Sequence, residues 1–375
     1  ELGIKMTVDP MFPYLMNLCY DQIEASKMHP ITIECRGLVV DTGNFKVQGR
    51  PFDRFFNVGE ALNITEKINY NDCTVTEKLD GSLIKIYYSE RYSMWLVGTK
   101  GTPTSRNSMV SKGDKGLPLL YLIAEYFGID VKSHVSNYYT GYRQEYIDGG
   151  DFNAIMKQLN EIFDSTLYRG YTYICELVSP ENQIVTKYDK TELYLLNIRD
   201  NISGEYIDQS IDIFKIPKVY ECSGLDDIRV AVQEINKDGN RLNEGFVVTC
   251  NETGIRSKIK NTGYLMVHRN LGNDTLDKKT IKDIVAVHEE DEVLSYYPHL
   301  EDEFVEMVKQ RQDAIERLDK GIKLSNDITD RKELALKLKE LKVASAVFYL
   351  MKKDYSATIE GWNMLPTKMK VDLMS

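Results

Sequence analysis

The sequence predicts an α+β protein in which antiparallel sheets with flanking helices are followed by an all-helical C-terminal domain. Up to about residue 270, short runs alternate apolar and polar side chains, the period-two pattern of half-buried strands. From about residue 278, apolar residues recur at three- and four-residue spacing, which indicates helices. A stretch rich in Gly, Asn, Asp and Thr lies between the two patterns and predicts a connection. We therefore expect domains at residues 1–272 and 273–375.

The strand patterns of the first domain come in three groups. Residues 31–42 and 45–57 read as strands, or as a strand followed by a turn. Residues 70–78, 82–90 and 93–100 are expected to form three successive antiparallel strands, and an Asp-Gly hairpin turn would join the first two. The remaining strand patterns are at residues 170–180, 191–200, 243–250 and 255–260, the last two joined as a hairpin around 251–254.

Helical patterns appear in two places. Residues 117–129 and 152–167 predict two helices within a helical insertion at 105–170, which we expect to be a surface elaboration that begins with a mobile, weakly basic loop at 102–116. In the C-terminal domain, residues 281–310 hold nine acids and two bases, whereas residues 331–370 hold nine bases and four acids. The basic residues form either ordinary solvated helix faces or a surface that faces RNA. The helical patterns there are at residues 280–297, 301–324, 330–353 and in the tail from residue 357.

The composition excludes several classes of protein. A net charge of −10 argues against a protein that coats nucleic acid non-specifically, although it allows a local basic groove. No apolar run approaches the roughly 18 residues that span a bilayer. The six cysteines are scattered and the five histidines are dispersed, which indicates free thiols in a reducing cytosol and no structural zinc. The chain does not begin with Met, so a few residues are expected to precede it.

A lysine beside the Asp-Gly turn is the first candidate for chemistry. Lys78, Asp80 and Gly81 form a Lys-x-Asp-Gly motif between two strand patterns, a weak signal by itself. In the strand pattern at 255–260, Lys258 and Lys260 share one face because alternate residues of a strand point the same way. Two lysines on one face repel unless an anion such as a polyphosphate lies between them, although a plain surface strand has the same pattern.

Several further motifs accompany the lysine in a fixed order. They are ECRG, RPFDRFFN, EKLDGS, CELVSP, LYLLNIRD, EGFVV and KIK, spread over about residues 30 to 270. In this order they resemble the covalent nucleotidyltransferase superfamily of ATP ligases and capping enzymes. More narrowly, the sequence resembles the tailed-phage RNA ligases that repair cleaved tRNA anticodon loops. The resemblance implies a nucleotidyltransferase (adenylation) domain over residues 1–272 and a tRNA-binding role for the helical domain.

The resemblance also implies a role for each matching residue. Lys78 would attack the α-phosphate of ATP to form a lysyl-AMP, and neighbouring cations would favour its unprotonated amine. Asp80 would lie beside the lysine or reach the metal through water, and Glu244 would serve the metal. Glu176 would bind a ribose hydroxyl. The ATP-binding positions are Arg36, Arg54, Glu77, Lys78, Lys100, Glu176, Glu244, Lys258 and Lys260, and Tyr264 is expected to line the same site.

The resemblance implies substrates and surroundings as well. ATP and Mg²⁺ or Mn²⁺ would act with an RNA that carries 5′-phosphate and 3′-hydroxyl ends, as cleaved tRNA does. We expect a monomer in the cytoplasm, which is the host-cell cytoplasm if a phage encodes the chain. The chain has Arg54 at a position where lysine is also found in the family, and a guanidinium can make contacts that differ from those of an ammonium. The 75 residues between Lys100 and Glu176 are long for the family.

Three other functions stay open at this point. A DNA ligase or an mRNA guanylyltransferase would share the lysine chemistry, but each is expected to continue into a β-barrel domain after the KIK strand. Here helical patterns follow that strand instead. A non-catalytic RNA-end-binding protein would not need every acid and base of the mechanism, and all of them are present.

Overall fold

The computed structural model describes most of the chain in two compact units, Glu1–Arg269 and Asn270–Ser375. The described residues are 2–21, 25–26, 28–106, 108–112, 115–131, 149–235, 242–261, 264, 278–286, 290–294, 300–352, 362 and 365–374. Among them, no helix is long and apolar enough to cross a membrane. All six cysteines lie within these ranges, and all are free thiols, as the sequence predicts.

The first unit is built mainly from strands. Its helices are α1 (Pro30–Glu34), α2 (Leu62–Thr65), α3 (Leu119–Tyr126), α4 (Gly149–Thr166) and α5 (Leu225–Glu234). Its strands are β1 (Ile4–Asp9), β2 (Phe12–Tyr20), β3 (Arg36–Asp41), β4 (Val47–Gly49), β5 (Phe56–Asn57), β6 (Cys73–Lys78), β7 (Ser82–Ser89), β8 (Met94–Thr99), β9 (Met109–Lys112), β10 (Lys115–Pro118), β11 (Tyr171–Val178), β12 (Glu192–Asp200), β13 (Tyr206–Ile207), β14 (Val219–Tyr220), β15 (Gly245–Cys250) and β16 (Arg256–Lys260).

Two five-stranded sheets form the centre of this unit. One has the strand order β13-β12-β11-β7-β8, and the other has the order β14-β6-β15-β16-β5. Strands β1 to β4 form a third sheet in chain order, and β9 and β10 form a small hairpin. Within the two large sheets, every described pairing is antiparallel except that of β16 with β5. This arrangement confirms the predicted α+β class and the predicted β15–β16 hairpin.

The predicted hairpin between β6 and β7 is wrong. Strand β6 pairs with β14 and β15, whereas β7 pairs with β8 and β11, so the chain leaves one sheet and enters the other between Lys78 and Ser82. The alternating pattern identifies strands but not their partners, which are set by distant residues. Gly81 permits this crossing because a Cβ there would lie 2.2 Å from the carbonyl oxygen of Leu177.

The helical segment at 105–170 belongs to the core, so its interpretation as a surface elaboration is wrong. Helices α3 and α4 form as predicted, and Leu120, Ile123, Phe152 and Leu159 are buried in one cluster with Trp95 of β8. The sequence reading missed the β9–β10 hairpin in this segment.

The start of that segment is also not a free loop. Thr104 and Ser105 are buried, and the backbone N–H of Ser105 donates to the carbonyl of Val97. Arg106 pairs with the buried carboxylate of Asp9 at 3.0 Å. Residues 107, 113–114 and 132–148 lie outside the described residues.

The secondary structure of residues 30–34 and 4–20 also differs from that expected from the sequence. A helix, α1, occupies the first part of the predicted strand at 31–42, because Pro30 at its first position fixes a helical φ. Strands β1 and β2 form a long hairpin that the sequence reading passed over.

The second unit consists of helices in the residues that the structure describes, as the sequence predicts. Its core includes Ile284, Phe304, Leu318, Leu338 and Val347. Its helices are α6 (Lys278–Ala286), α7 (Glu290–Leu294), α8 (Glu301–Asp327), α9 (Arg331–Glu340), α10 (Ala344–Lys352) and α11 (Thr367–Leu373).

Candidate active site

A cleft of about 600 Å³ is lined by residues from both large sheets. Strands β6, β15 and β16 contribute Thr76, Val247 and Lys258, and β11 contributes Glu176 from the opposite sheet. Of the residues that the sequence predicted for the site, Arg54, Asp80, Glu244, Lys260 and Tyr264 lie outside the lining, and six belong to it. They are Arg36, Glu77, Lys78, Lys100, Glu176 and Lys258.

Glu244 joins two of the predicted lysines. Its Oε2 lies 2.5 Å from the Nζ of Lys78, and its Oε1 lies 3.2 Å from the Nζ of Lys260. The side chain of Glu244 is 7% exposed, whereas that of Lys78 keeps 21% of its surface open. A carboxylate shared by two lysines neutralises part of their mutual repulsion. Lys78 is thus the most exposed residue of a largely buried cluster of three.

The strand register explains how this cluster forms. Gly245, the residue after Glu244, lies opposite Lys78 on one neighbouring strand and opposite Lys260 on the other. Its φ is +145°, and a Cβ there would lie 2.1 Å from the carbonyl oxygen of Ile259. Only glycine allows three strands to approach so closely at this point. The glycine of EGFVV therefore sets the distance between the two lysines and the carboxylate.

The carboxylate of Asp80 is fully engaged by neighbouring groups. Its Oδ2 accepts the backbone N–H groups of Val185 at 2.8 Å and Thr186 at 2.7 Å, and its Oδ1 accepts the hydroxyl of Tyr264 at 2.8 Å. The Asp80 backbone N–H donates to the Tyr188 hydroxyl at 3.0 Å. Asp80 and Tyr264 are both buried, so Tyr264 supports the turn after Lys78 from behind.

Glu176 lies in the cleft wall and is partly exposed. Burial raises the pKa of its carboxyl from 4.5 to about 8; nearby Glu244 adds to this shift, while Lys78 and Arg36 oppose it. A carboxyl with this pKa is largely protonated below neutral pH and can then donate a hydrogen bond as well as accept one. A sugar hydroxyl can take part in either kind of hydrogen bond.

Tyr20, at another wall of the cleft, lies next to two cations, Lys100 of the cleft lining and Arg54. The guanidinium of Arg54 lies 4.2 Å from the ring centroid, and the Nζ of Lys100 lies 5.4 Å from it. Arg36 lies over Phe55 at 5.3 Å. The Nη1 atoms of Arg36 and Arg54 are buried, and neither has a hydrogen-bond partner among the described residues. Buried donors of this kind are costly unless a ligand accepts them, which makes these cations a candidate anion site.

The carboxylates that the structure describes do not form a preassembled metal site. No group of three or more His, Cys, Asp or Glu among the described residues could hold an ion. Both oxygens of Glu244 and both of Asp80 already have partners. Mg²⁺ usually binds one or two carboxylates together with substrate phosphates and water. Glu244, which contacts the cleft-lining Lys78, fits that mode better than Asp80, whose oxygens accept three hydrogen bonds.

The structure therefore brings most of the predicted site residues together. Lys78, Glu244 and Lys260 are in direct contact, whereas Asp80 and Tyr264 form a second contact beneath them. The sequence reading did not identify Tyr20, Phe55 and Tyr188 as part of the site. Phe55 lay within the quoted RPFDRFFN motif, but Tyr20 and Tyr188 carry no local signal, because only the fold brings them to the cleft or to Asp80.

Comparison with known proteins confirms the resemblance to RNA ligases. The sequence model of a family described as RNA ligase matches residues 34–265, which is more than half of the chain. A candidate bifunctional polynucleotide kinase/RNA ligase of Autographa californica nuclear polyhedrosis virus is 31% identical over 301 residues, covering 76% of this chain and 38% of that protein. An RNA ligase of Rhodothermus phage RM378 is 25% identical over 314 residues, covering 69% of this chain and 64% of that protein. The chain thus spans less than two thirds of the length of either relative.

Solved structures give a weaker likeness. An archaeal ATP-dependent RNA ligase aligns with a TM-score of 0.41 and 11% identity, covering 76% of this chain and 62% of that chain. A Naegleria gruberi RNA ligase mutant with ATP and Mn aligns with a TM-score of 0.35 and 14% identity, covering 58% of this chain and 57% of that chain.

Proposed function

Because this chain belongs to the RNA ligase family of the T4 RNA ligase 1 type, we propose that it is an ATP-dependent RNA ligase that joins 5′-phosphate and 3′-hydroxyl RNA ends. One observation carries the proposal most directly. Lys78 reaches an open cleft, is held there by Glu244, and shares the cleft with Arg36 and Lys100. This is the arrangement that covalent attack by an amine on a nucleotide phosphate requires.

The first proposed step is transfer of AMP to the protein. The lone pair of the Lys78 amine attacks the α-phosphorus of ATP, a nitrogen–phosphorus bond forms, and pyrophosphate leaves as the phosphorus–oxygen bond breaks. Attack needs the unprotonated amine, so Lys78 has to lose a proton and its Nζ has to leave the contact with Glu244. Lys260 and Lys258 then face the phosphates with cationic groups that offset the charge developing on them.

Two further transfers complete the proposed reaction. The 5′-phosphate of the RNA attacks the phosphorus of lysyl-AMP, which releases Lys78 and gives a 5′–5′ pyrophosphate. The 3′-hydroxyl of the other end then attacks the RNA phosphate, AMP leaves, and a phosphodiester bond forms. Each step is a phosphoryl or nucleotidyl transfer, so one set of cations can serve all three. The unpartnered donors of Arg36 and Arg54 suit an anion at the neighbouring wall.

A divalent ion, Mg²⁺ or Mn²⁺, fits the site if it enters with the nucleotide. Glu244 would bind the ion in exchange for one of its lysines, and the phosphates would supply the other ligands. Such an ion would neutralise charge on the triphosphate. Asp80 would act mainly by holding the turn that presents Lys78, since its oxygens accept three hydrogen bonds.

The finer parts of the proposal concern the substrate and the second unit. Residues 1–272 would be the adenylation domain, and residues 273–375 would bind the RNA, for which the basic residues of α9 are the candidate surface. We propose cleaved tRNA as the RNA, and a monomer acting in the cytoplasm. These points are supported by the order of the motifs alone.

Incubation with α-labelled ATP or GTP and a divalent metal, followed by a denaturing gel, tests the proposal. Label from ATP that remains on the protein, and that is lost in Lys78→Ala, is the expected result. Label from GTP alone would instead indicate guanylyl transfer, and no adduct from either nucleotide would contradict an enzyme of this class. Circularisation of a 5′-phosphorylated single-stranded RNA, compared with the same DNA sequence, then separates RNA joining from DNA joining.

A further inference from the structure

A fully buried amine lies beneath two of the cations of the cleft. The Nζ of Lys85, on β7, donates hydrogen bonds to the Oδ1 of Asn17 and, at 2.6 Å, to the carbonyl oxygen of Gly37. The Nδ2 of Asn17 in turn donates to the carbonyl oxygen of Lys100 at 3.2 Å. Lys85 and Asn17 are both 0% exposed. Lys85 therefore contacts the backbone next to Arg36 directly and the backbone of Lys100 through one amide.

This burial is costly and needs a reason. Lys85 forms no ion pair with any residue that the structure describes, and burial lowers the pKa of its amine well below the ordinary lysine value. Its neighbours Ile84 and Ile86 are buried hydrocarbon, so an apolar residue of similar length would be the usual choice at this position. What the amine adds is a pair of fixed hydrogen bonds to two other strands.

The contact that the amine fixes is unusually close. Gly37 has φ +97°, and a Cβ there would lie 2.8 Å from the carbonyl oxygen of Lys100. The backbone of β3 thus passes directly against the residue that follows β8. Arg36 is the residue before Gly37, and Lys100 is the residue that Gly37 contacts. A small shift of β3 or β8 would therefore change the distance between the Arg36 and Lys100 cations. Strand β7, which carries Lys85, begins four residues after Lys78.

We propose that Lys85, together with Asn17, is a positioning residue that holds Arg36 and Lys100 at the separation required to bind the phosphates of the nucleotide at Lys78. It acts through the backbone of Gly37 and Lys100 and does not touch the ligand. The inference rests on the proposed function, because it takes a nucleotide as the ligand of the cleft.

Binding of ATP and of adenosine distinguishes positioning from general structural support. In a Lys78→Ala background, which blocks covalent reaction, we expect Lys85→Met to weaken ATP binding about tenfold and to leave adenosine binding unchanged. Calorimetry measures both. The reason is that Arg36 and Lys100 act on phosphates, which adenosine lacks. Methionine keeps the length and the apolar stem of lysine, so the packing around residue 85 changes little.

Tyr87→Phe is the matched control. Tyr87 lies on the same strand, is also 0% exposed, and makes one side-chain hydrogen bond, to the carbonyl of Pro103 at 2.8 Å. Removing that bond is expected to lower the melting temperature without changing the affinity for either ligand. Lys85→Gln, which retains a donor, is expected to keep part of the ATP affinity and also serves if Lys85→Met does not fold.

Double variants test the route of the effect. If Lys85 acts through the two cations, its effect on the KM for ATP in adduct formation should shrink in an Arg36→Ala or a Lys100→Ala background. Fully additive effects would overturn the proposal, as would an equal loss of ATP and adenosine affinity, or a lower melting temperature with both affinities unchanged. A protein that binds ATP as described but forms no adduct would count against the ligase function, and not against the role of Lys85.

Discussion

Lys78, which lines the cleft, and Glu244, 166 residues away in the sequence, form a 2.5 Å ion pair. The pair fixes the position of the lysine side chain, 21% of which stays exposed. The amine is thereby held against the carboxylate, so a nucleotide phosphate would have to displace this contact to reach it. We therefore expect Glu244 to orient Lys78.

Glu244→Gln should reduce formation of lysyl-AMP by about a hundredfold, a loss comparable to removal of one strong stabilising group in other active sites. The amide is neutral, so it would no longer offset the charges of Lys78 and Lys260 or bind a divalent ion well. Single-turnover adduct formation with labelled ATP measures the effect. Glu192→Gln is the control, since Glu192 is also buried and pairs at 2.8 Å with a lysine, Lys190, which unlike Lys78 does not line the cleft. Equal rates for the two variants would contradict the role of Glu244.

Gly245→Ala should destabilise the protein by roughly 3 kcal/mol or more and remove adduct formation, because the new Cβ would push β15 and β16 apart. Urea denaturation of the first unit and the labelling assay measure the two effects. Gly128→Ala is the control: its φ is +76°, but nothing lies within 4 Å of a Cβ there, and Gly128 does not line the cleft. That change should cost only about 1 kcal/mol and leave labelling intact. An active, stable Gly245→Ala would contradict the proposed strand geometry.

Local sequence patterns predict those parts of the site that lie on one strand. Lys258 and Lys260 share a face because the side-chain period of a strand is two, and the structure places both at the site. The contact of Lys78 with Glu244 could be anticipated only from the order of the motifs, because nothing local links residues so far apart. The helices at 119–126 and 149–166 were predicted from their period.

Pairing between strands could not be predicted from the same patterns. An Asp-Gly pair between two strand patterns indicates a hairpin, but Asp80 here binds the backbone at residues 185 and 186, and β7 joins a different sheet from β6. The engagement of Asp80 by a distant loop is a tertiary contact that overrides the local preference. Tyr20 was missed for a similar reason, since its role depends on where Arg54 and Lys100 lie around its ring.

Glu176→Gln should change the pH dependence of stability. Because the folded-state pKa of Glu176, about 8, lies above its ordinary value of 4.5, the folded protein binds this proton more tightly than the unfolded chain does. The resulting stability is fully present below pH 4.5 and is lost as the pH rises towards 8. The uncharged glutamine does not lose it. The melting temperature of Glu176→Gln, measured relative to that of the unchanged protein, should therefore be higher at pH 8.5 than at pH 5.

Thermal melts at both pH values in the absence of nucleotide measure the difference. We expect a relative gain of about 2–4 °C, which corresponds to roughly 1 kcal/mol in a domain of this size, because partial exposure of Glu176 reduces the effect. Glu192→Gln again serves as the control, since it removes a carboxylate outside the cleft. A constant difference between Glu176→Gln and the unchanged protein from pH 5 to pH 8.5 would show that the carboxyl does not titrate in this range.

Arg54→Ala should raise the concentration of RNA 5′-ends or of ATP needed for half-maximal rate by about tenfold or more, because it removes a buried donor that no described group accepts. Arg54→Lys should retain part of the activity, since the charge stays while the planar donor is lost. Arg91→Ala is a matched control, because Arg91 also lies over a tyrosine, Tyr14, at 4.4 Å, but its guanidinium is already paired with Asp41 at 2.8 Å. Equal kinetic effects of Arg54→Ala and Arg91→Ala would contradict an anion site at Arg54.

Asp80→Asn should impair both stability and adduct formation, whereas Tyr264→Phe should cost only about 0.5–1.5 kcal/mol of stability and little activity. The asymmetry follows from the contacts: Asp80 accepts three hydrogen bonds from three donors, and an asparagine amide would place an N–H group against at least one of them. Tyr264→Phe removes only one of the three. Denaturation and adduct assays on both single variants and on the double variant measure these effects.

The double variant separates a positioning role of Asp80 from a direct role in metal binding. If Asp80 acts by holding the turn, then the loss of stability and the loss of adduct formation in Asp80→Asn should occur together, and raising the metal concentration should restore neither. The effect of Tyr264→Phe should also become smaller in the Asp80→Asn background, because the two residues share one hydrogen bond. Recovery of activity at high Mg²⁺ concentration would contradict this account and would assign Asp80 to the metal, because a weakened ligand can be compensated by mass action whereas a misplaced Lys78 cannot.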